Sequence, residues 1–238
     1  MGQYQHIVVL TGAGISADSG LATFRAADGL WEDHRIEEVA TPEAFMKNPA
    51  LVHRFYKLRR QAAAQAQPNR AHICLADVAT QSDDFTLISQ NVDDLHQRAG
   101  SEDVLSIHGQ LNQYQCVQCH VVDQIGHDEL NEHSVCPHCQ SHGSLRPDIV
   151  WFGEMPLYLD DIMTRLMRCD LFVAIGTSGT VYPAAGFVEI AKRNKAHTVM
   201  LNLDGTDNAL FDEVRTGRAS QVVPAYFYDK LGFKPPDL

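Results

Sequence analysis

The sequence predicts an α/β fold with a doubly wound, parallel, Rossmann-like sheet and a smaller part that combines a zinc ribbon with a helical insertion. Short apolar runs rich in β-branched residues, such as Ile7 to Leu10 and Leu171 to Ile175, are typical of buried parallel strands. Stretches with helix-start signals alternate with these runs, which is the pattern of a parallel sheet covered by helices. Two Cys-x-x-Cys pairs in the middle of the chain indicate the smaller part.

The loop after the first strand is rich in glycine. Gly12 and Gly14 allow a tight turn and the close approach of a ligand, and Ser16 and Asp18 are good caps for a helix that begins just after them. We expect the N-terminus of this helix to offer a site for a diphosphate. The spacing differs from the G-x-G-x-x-G fingerprint of dehydrogenases, because Ala17 stands at the third glycine position. A glycine turn without a ligand is the alternative interpretation.

The remaining elements follow from caps and apolar runs. Helices are predicted from Pro42, from Pro49 to about Gln65, and from Asn69 to about Thr80. The later elements are strands at 85–89 and 104–107, an extended segment at 145–154, a helix at 159–168, a strand at 170–175, a helix at 183–193, a strand at 197–201, an edge strand at 220–223 and a last helix at 224–231. Within a single domain, we assign residues 1–35, 67–111 and 146–238 to the Rossmann-like part, and residues 36–66 (helical) and 112–145 (zinc-binding) to the smaller part.

The charge balance narrows the class of partner. The chain of 238 residues carries 30 acidic against 19 basic residues, a formal net charge of -11, which disfavours nucleic acid and favours a basic partner such as a lysine-bearing peptide. No signal peptide and no apolar stretch of membrane-spanning length is recognisable. Two cysteines outside the pairs, Cys74 and Cys169, lie in apolar surroundings, as buried free thiols do. We expect a cytoplasmic monomer with no membrane or specific nucleic-acid partner.

The two cysteine pairs are the strongest local motif. Cys116-x-x-Cys119 and Cys136-x-x-Cys139, with 16 residues between them, supply four thiolates for tetrahedral zinc. Four thiolates leave no open coordination position, so this zinc is predicted to be structural. A zinc-ribbon module for nucleic acid is the competing interpretation, which the acidic balance of the chain weakens.

Polar residues follow several of the predicted strands, in the loops at 12–16, 90–93, 108, 176–178 and 202–204. Because the carboxyl ends of parallel strands meet at one edge of a sheet, we expect these loops to form one site. His108 follows a short strand, in line with Asn91 and Asp93, and a histidine whose pKa is near neutrality is the usual general base. A single histidine is also often a packed structural residue, and that alternative stays open.

Several motifs together resemble the sirtuin family. In chain order they are Gly12-Ala13-Gly14-Ile15-Ser16, Thr23-Phe24-Arg25, Gln90-Asn91-Val92-Asp93, Ile107-His108-Gly109, the two cysteine pairs, Val150-Trp151-Phe152-Gly153-Glu154 and Gly176-Thr177-Ser178. They cover nearly the whole chain in the family's order, and the chain is also similar to the compact bacterial sirtuins. The resemblance implies an NAD-dependent protein-lysine deacylase. In such an enzyme the acyl oxygen displaces nicotinamide from the ribose, and the products are free lysine, nicotinamide and O-acyl-ADP-ribose.

The resemblance also implies roles for individual residues. His108 would take a proton from a ribose hydroxyl, and Asn91 would help to position the ribose and the nicotinamide amide. Asp204 is one methylene shorter than the glutamate that the family often has at this place. The expected contacts of NAD are Gly12, Ala13, Gly14, Ser16, Phe24, Arg25, Gln90, Asn91, Asp93, Gly176, Thr177, Ser178, Asn202, Asp204 and Ala219. The expected contacts of the acyl-lysine substrate are Tyr56, Arg59, Val150, Phe152, Gly153 and Glu154, the last four as part of an added strand.

The acyl group is suggested by two residues on one predicted helix. Tyr56 and Arg59 are three positions apart and therefore on one face. Their Tyr-x-x-Arg spacing resembles the signature of the sirtuin class that removes succinyl and malonyl groups (class III), and Ala27 matches the small residue that widens the pocket of that class. A guanidinium beside a phenol can hold a terminal carboxylate. The alternative is a packed tyrosine beside a solvated arginine.

Two other classes of function remain possible from the sequence. An ADP-ribosyltransferase would use the same NAD site and transfer ADP-ribose to a protein. A non-catalytic sensor of NAD or ADP-ribose would bind the dinucleotide and release no nicotinamide.

Overall fold

A computed structural model of the chain describes residues 4–22, 30–31, 34–126, 130–179, 182–205 and 208–235. The strands of the described residues are, in chain order, β1 His6–Thr11, β2 Leu30–Trp31, β3 His34–Arg35, β4 Asp84–Ser89, β5 Val104–Ser106, β6 Gly109–Cys116, β7 Val122–Gln124, β8 Leu145–Ile149, β9 Leu171–Ile175, β10 His197–Asn202 and β11 Glu213–Thr216. The α-helices of the same ranges are α1 Ile36–Val39, α2 Pro42–Lys47, α3 Pro49–Gln65, α4 Arg70–Gln81, α5 Leu95–Arg98, α6 Leu159–Leu166, α7 Phe187–Arg193 and α8 Ala219–Pro224. A π-helical stretch, Ala225–Lys230, continues from α8.

The main sheet is parallel and confirms the predicted doubly wound, Rossmann-like class. Within the described ranges its strand order is β11-β10-β9-β1-β4-β5, so the first strand lies inside the sheet. Thr11 at the end of β1 pairs with Ser89 of β4 on one side and with Ile175 of β9 on the other. The three central strands therefore end at the same level. This register brings the loops that follow them together at one edge.

Helices cover both faces of this sheet because β1 is apolar on both sides. Ile7 and Val9 pack into a core with α4 and α8, whereas Val8 and Leu10 pack into a second core with α6 and α7. Both faces of a doubly wound sheet are buried in this way, which explains a continuous apolar run instead of an alternating one.

The predicted caps of three helices are confirmed. The side chain of Thr41 accepts a hydrogen bond from the N–H of Ala44 at 3.0 Å, and Asn48 accepts one from Leu51 at 3.1 Å. Asn69 caps α4 in the same way. Each side chain satisfies one of the amide donors that the first turn of a helix leaves unpaired. Helices α1 to α3 share a separate core with Trp151 and Ile149.

The smaller sheet has the order β7-β6-β8 among the described residues, and both of its pairings are antiparallel. Tyr114, Leu130 and Leu145 form its apolar core beside Cys116 and Cys136. The predicted division of the chain at residues 35, 66, 111 and 145 stays a prediction. None of the described helices is both long and apolar enough to cross a membrane.

Two predicted elements are wrong. The edge strand expected at 220–223 is helix α8, and the edge strand is β11 instead. The valines of this stretch suggested a strand, but Ala219, Val223 and Phe227 recur every four residues and are all buried.

The helix expected directly after Ser16 and Asp18 is the second error. Two short 3₁₀ turns, Ala13–Ile15 and Ala17–Ser19, occupy this place among the described residues, and Gly20 ends the second turn at a φ of 88°. Most amides of the loop already donate within the protein. The pairs are Gly12 to Ile175, Gly14 to Gly176, Ile15 to Gly12 and Ser16 to Ala13. A diphosphate here could not rely on the N-terminus of a long helix.

Candidate active site

One cavity of about 960 Å³ lies beyond the carboxyl ends of the main strands, and helix α3 also borders it. Its wall is built from the loops after β1, β4, β5, β9 and β10. This confirms the prediction that the polar loops after these strands form one site. The predicted site residues that line it are Gly12, Ala13, Gly14, Ser16, Tyr56, Arg59, Gln90, Asn91, Asp93, His108, Val150, Phe152, Gly153, Glu154, Gly176, Thr177, Ser178, Asn202, Asp204 and Ala219. Phe24 and Arg25, and the small residue Ala27, lie outside the described residues.

Three glycines form a close contact between two loops at one end of the cavity. A Cβ atom on Gly12 would lie 2.8 Å from the carbonyl oxygen of Gly176, and one on Gly14 would lie 2.7 Å from its Cα. Gly176 has a φ of 58°, in the left-handed region that favours glycine. The absence of side chains at these positions lets the two loops touch and leaves backbone facing the cavity. This cradle suits a diphosphate that must lie close to the main chain.

A polar network joins the loops after β1 and β4. The hydroxyl of Ser16 donates to the carboxylate of Asp93 at 3.1 Å and accepts from the side-chain amide of Asn91 at 3.1 Å. Burial raises the pKa of Asp93, although hydrogen bonds from Leu95 and Ser16 oppose this effect. The amide of Asn91 is thereby held in one orientation at the cavity wall.

A second link joins the loops after β4 and β9. The side-chain amide of Gln90 donates to the hydroxyl of Thr177 at 3.1 Å. The carbonyl of Thr177 in turn accepts a hydrogen bond from Asn202 at 3.3 Å, which extends the network to the loop after β10. Asp204 lies exposed in this last loop. Hydrogen bonds thus connect the loops after β4, β9 and β10 along the cavity wall.

His108 lies in the wall with a defined tautomer. Its Nδ1–H donates to the carbonyl oxygen of Gln90 at 2.9 Å, because a carbonyl can only accept. Nε2 therefore keeps the lone pair that a general base needs. Burial lowers the pKa of His108, while the hydrogen bond to Gln90 acts in the opposite direction. The imidazole is held neutral and able to take up a proton.

Gly109 explains how His108 is positioned. At this residue φ is 81°, and a Cβ would lie 2.0 Å from the carbonyl oxygen of Asp148. The chain turns here from β5 of the main sheet into β6 of the small sheet, and Val150 donates to the carbonyl of His108 at 2.9 Å. His108 is therefore fixed at the junction of the two sheets.

Tyr56 and Arg59 of α3 both border the cavity. Tyr56 is 0% exposed, and its hydroxyl oxygen accepts a hydrogen bond from the indole N–H of Trp151 at 3.0 Å. Burial raises the pKa of Tyr56 above its ordinary range, against the hydrogen bond from Trp151 and the positive charge of Arg59. The phenol therefore keeps its proton, and the positive charge of Arg59 acts on it.

The segment after β8 is held by its own side chains. Glu154 accepts two hydrogen bonds from the guanidinium of Arg146, at 2.6 and 2.8 Å, and one from the backbone N–H of Trp151 at 2.8 Å. Burial alone would raise the pKa of Glu154, but these hydrogen bonds bring it below its ordinary value. The backbone N–H groups of Val150 and Phe152 also donate within the chain. A substrate backbone added here would have to pair largely through carbonyl groups.

The sequence alone did not single out Asp18, Arg218 or Trp151 as site residues, yet all three line the cavity. Asp18 accepts from the hydroxyl of Ser220 at 2.6 Å and from Arg218 at 3.4 Å, across about 200 positions of sequence. These hydrogen bonds, that of Ser220 above all, lower the pKa of Asp18. No local pattern reveals such long-range pairs. For Trp151 the signal was its place inside a motif whose other four residues were named.

The four paired cysteines converge at one end of the small sheet. Their sulfur atoms all lie within 4.8 Å of one another, with Cys116 and Cys139 at 3.7 Å and Cys119 and Cys136 at 3.8 Å. A tetrahedron with zinc–sulfur bonds of about 2.3 Å has edges of about 3.8 Å. The donor set and spacing therefore fit a closed structural zinc site, as predicted. This group lies in the small sheet, apart from the residues that line the cavity.

Comparison with known proteins decides the family. Residues 12–183 match the family model described as Sir2 family. The chain belongs to the Sir2 family. This confirms the resemblance to the sirtuins on which the predicted site residues were placed.

Relatives of this Sir2-family chain are similar over most of its length. It is 52% identical over 229 residues to the NAD-dependent protein deacylase of Salmonella typhimurium (strain LT2), covering 94% of this chain and 83% of the relative. It is 51% identical over 227 residues to the protein of the same name from Bdellovibrio bacteriovorus, covering 94% and 95%.

Solved structures of Sir2 proteins have the same fold. A Sir2 homologue in complex with NAD is 39% identical, with a TM-score of 0.84, and the match covers 93% of this chain and 87% of that one. A complex described as Sir2-p53 peptide-NAD+ is 30% identical, with a TM-score of 0.80 and coverage of 95% and 94%.

Proposed function

We propose that this Sir2-family chain is an NAD-dependent protein-lysine deacylase that removes acetyl groups and also succinyl and malonyl groups. The family and the relatives named NAD-dependent protein deacylase support the reaction. One observation carries the substrate class. A single cavity joins the glycine cradle, the base His108 and the pair of Tyr56 and Arg59.

NAD is the cofactor that the residues at one end of the cavity fit. The cradle of Gly12, Gly14 and Gly176 would leave backbone close to a diphosphate. Asn202 and Asp204, which also line the cavity, would contact the adenosine half. When bound, NAD supplies the glycosidic bond to nicotinamide whose cleavage makes the ribose the acceptor of the acyl group. Asn91, fixed by Ser16, and Gln90, fixed by Thr177, would orient the nicotinamide half.

His108 is the residue that would move a proton. Its Nδ1–H is occupied by the carbonyl of Gln90, so Nε2 is the atom that accepts a proton from a ribose hydroxyl. Because burial lowers its pKa, the imidazole is neutral before the reaction. The hydrogen bond to Gln90 then stabilises the imidazolium that forms.

Arg59 and Tyr56 are the proposed contacts of the acyl group. A succinyl or malonyl group ends in a carboxylate, which can only accept hydrogen bonds. The guanidinium of Arg59 and the hydroxyl of Tyr56 can both donate hydrogen bonds to such a carboxylate. Burial of the phenol removes competing water. An acetyl group has no charge to present to this pair and should react without gaining from it.

The overall charge suits a lysine-bearing protein or peptide as the partner, since the chain has a formal net charge of -11. The cysteine group would hold one zinc ion that braces the small sheet and has no open position for chemistry. A monomer, a cytoplasmic location and the lack of a nucleic-acid partner stay predictions.

The test uses one peptide sequence with acetyl-, succinyl- or malonyl-lysine, and compares Arg59→Met with Arg60→Met. Arg60 is the next residue of α3 and does not border the cavity. A hydrogen bond to a charged group contributes about 1.5–3 kcal/mol. We therefore expect Arg59→Met to lower kcat/KM for the succinyl peptide by well over tenfold relative to the acetyl peptide, and Arg60→Met to leave the ratio unchanged. Equal losses on all peptides would contradict the carboxylate contact.

Two other functions are separated by the same incubation. Mass analysis of peptide and nicotinamide identifies deacylation directly. Label from NAD on a target protein without loss of an acyl group would indicate an ADP-ribosyltransferase. Binding of NAD without release of nicotinamide from any peptide would indicate a sensor.

A further inference from the structure

Asp18 joins the loop after β1 to the start of helix α8. Its carboxylate accepts hydrogen bonds from the hydroxyl of Ser220 at 2.6 Å, from the backbone N–H of Ser220 at 3.2 Å and from the guanidinium of Arg218 at 3.4 Å. Asp18 lies in the second 3₁₀ turn of its loop, and Ser220 lies in the first turn of α8, 202 positions later. Asp18, Arg218 and Ala219 all line the cavity, so this contact is part of its wall.

Asp18 takes the place of a local cap for α8. The N-cap residue of this helix, Arg218, makes no capping hydrogen bond with its own side chain. The backbone N–H of Ser220 donates to Asp18 instead. A carboxylate at this place satisfies an amide that the first turn leaves unpaired, and it complements the positive end of the helix dipole. Asp18 therefore fixes the start of α8 and the segment 217–219 that leads into it.

The charge of Asp18 excludes a direct bond to the diphosphate of a cofactor. The hydrogen bond from the hydroxyl of Ser220 lowers the pKa of Asp18 most, and the backbone N–H of Ser220 and the charge of Arg218 lower it further, against the effect of burial. The side chain is thus ionised at neutral pH and can only accept hydrogen bonds. A diphosphate also offers only acceptors. The place of Asp18 in the cavity wall is therefore explained by the segment that it holds.

We propose that Asp18 is a positioning residue for NAD, whose carboxylate holds the segment 217–219 against the loop after β1. The inference rests on the proposed function, because Ala219 is an expected contact of the adenosine half. The segment has a second anchor, since the N–H of Gly217 donates to the carbonyl of Asn202 at 2.9 Å. Without Asp18 the segment loses one of these anchors, and the fraction of molecules with a formed site falls. The apparent Kd of the cofactor rises as this fraction falls.

The experiment is a double-mutant cycle with Asp18→Ala, Ser220→Ala and the double variant, and its readout is the Kd of ADP-ribose in calorimetry. Loss of the hydrogen bonds to a charged group predicts a rise of Kd by roughly tenfold in Asp18→Ala and by about threefold in Ser220→Ala. In the Asp18→Ala background, Ser220→Ala should change Kd by less than about twofold, because no carboxylate remains to be bonded. The KM of NAD should rise with Kd, while kcat for an acetyl-peptide at saturating NAD should stay within about twofold of the wild type.

Asp77→Ala is the matched control for a loss of stability alone. Asp77 also accepts from a distant hydroxyl, that of Tyr228 at 2.7 Å and 151 positions away, and it does not line the cavity. Its removal should leave the Kd of ADP-ribose unchanged. A rise of Kd in Asp77→Ala as large as that in Asp18→Ala would mean that general destabilisation weakens binding, and it would overturn the inference.

Two further outcomes would overturn the positioning role. A raised Kd in Asp18→Ala with an unchanged Kd in Ser220→Ala would mean that Asp18 contacts the cofactor itself. Equal effects of Ser220→Ala in both backgrounds would mean that Ser220 acts without Asp18. If Asp18→Ala does not fold, Asp18→Asn, which keeps the shape of the side chain and removes its charge, takes its place in the cycle. An unchanged Kd in Asp18→Ala removes only this role, whereas a wild-type chain that binds no ADP-ribose overturns the proposed function as well.

Discussion

The Nδ1–H of His108 donates to the carbonyl oxygen of Gln90 at 2.9 Å, so a backbone group of the loop after β4 sets the tautomer of the histidine after β5. These strands are neighbours and end at the same level, with Ser89 paired to Ser106. The sheet register therefore supplies the alignment that a base needs before any substrate binds. Because the partner is a main-chain atom, no side-chain substitution at residue 90 can remove it.

Replacement of His108 by tyrosine should abolish the reaction. Tyrosine has no neutral ring nitrogen to accept a proton at neutral pH. We expect the release of nicotinamide with acetyl- and succinyl-peptides to fall by at least a hundredfold, which is within the usual contribution of general base catalysis of about 10²–10⁴. His133→Tyr is the control, since His133 is an exposed residue outside the cavity. Retained turnover in His108→Tyr would exclude this histidine as the base.

The pH dependence of the reaction follows from the same histidine. Burial lowers its pKa, so Nε2 stays unprotonated at pH values where an ordinary histidine, with a pKa of about 6.5, would be half protonated. As the pH falls through the pKa of His108, the base is lost and kcat/KM should fall with it. We expect the acidic inflection of kcat/KM for an acetyl-peptide to lie below pH 6.5, at a saturating NAD concentration. An inflection above pH 7 would show that the site does not desolvate the imidazole.

The glycine cradle predicts a specific loss of cofactor binding. An added Cβ at Gly14 would lie 2.7 Å from the Cα and 2.8 Å from the oxygen of Gly176, so one backbone segment must move. Displacement of a binding loop by about 1 Å can cost about a hundredfold in a well-positioned site. We expect Gly14→Ala to weaken the binding of ADP-ribose by roughly ten- to a hundredfold in calorimetry.

Gly126→Ala is the matched control, because a Cβ there meets no atom of the described residues within 4 Å. It should bind ADP-ribose like the wild type. Equal affinity of Gly14→Ala and the wild type would mean that the two loops separate freely and that the cradle has no role in binding.

Local sequence signals predicted most of the fold. The caps Thr41, Asn48 and Asn69 each act within three residues of themselves, so they could be recognised without any tertiary information. The edge strand expected at 220–223 is wrong because the valines favoured a strand, whereas the segment is a helix that packs against α4, which lies far away in the sequence.

The candidate site was likewise predictable only in part. Its loops could be predicted, since parallel strands align their carboxyl ends and the polar residues follow each strand directly. The hydrogen bond between Trp151 and Tyr56 spans 95 positions of sequence, and that between Asp18 and Ser220 spans 202. No local sequence pattern at these residues indicates which residue is the partner. The sequence could therefore locate the cavity but not the contacts that orient its side chains.

The cysteine group predicts that one zinc ion maintains the small sheet. Cys136 is fully buried, and its sulfur lies 3.8 Å from that of Cys119, which fits an edge of a zinc tetrahedron. We expect elemental analysis to find about one zinc per wild-type chain. Cys136→Ser should abolish this zinc and lower Tm by about 5 °C or more, because 1 kcal/mol corresponds to about 2–4 °C in a chain of this size. His138→Ala should keep both zinc and Tm, since His138 is bonded to Asp123 and lies outside the four-thiol group. Zinc at one equivalent in Cys136→Ser would mean that the metal is held elsewhere, and an unchanged Tm after its loss would mean that the apolar core of Tyr114, Leu130 and Leu145 supports the small sheet without it.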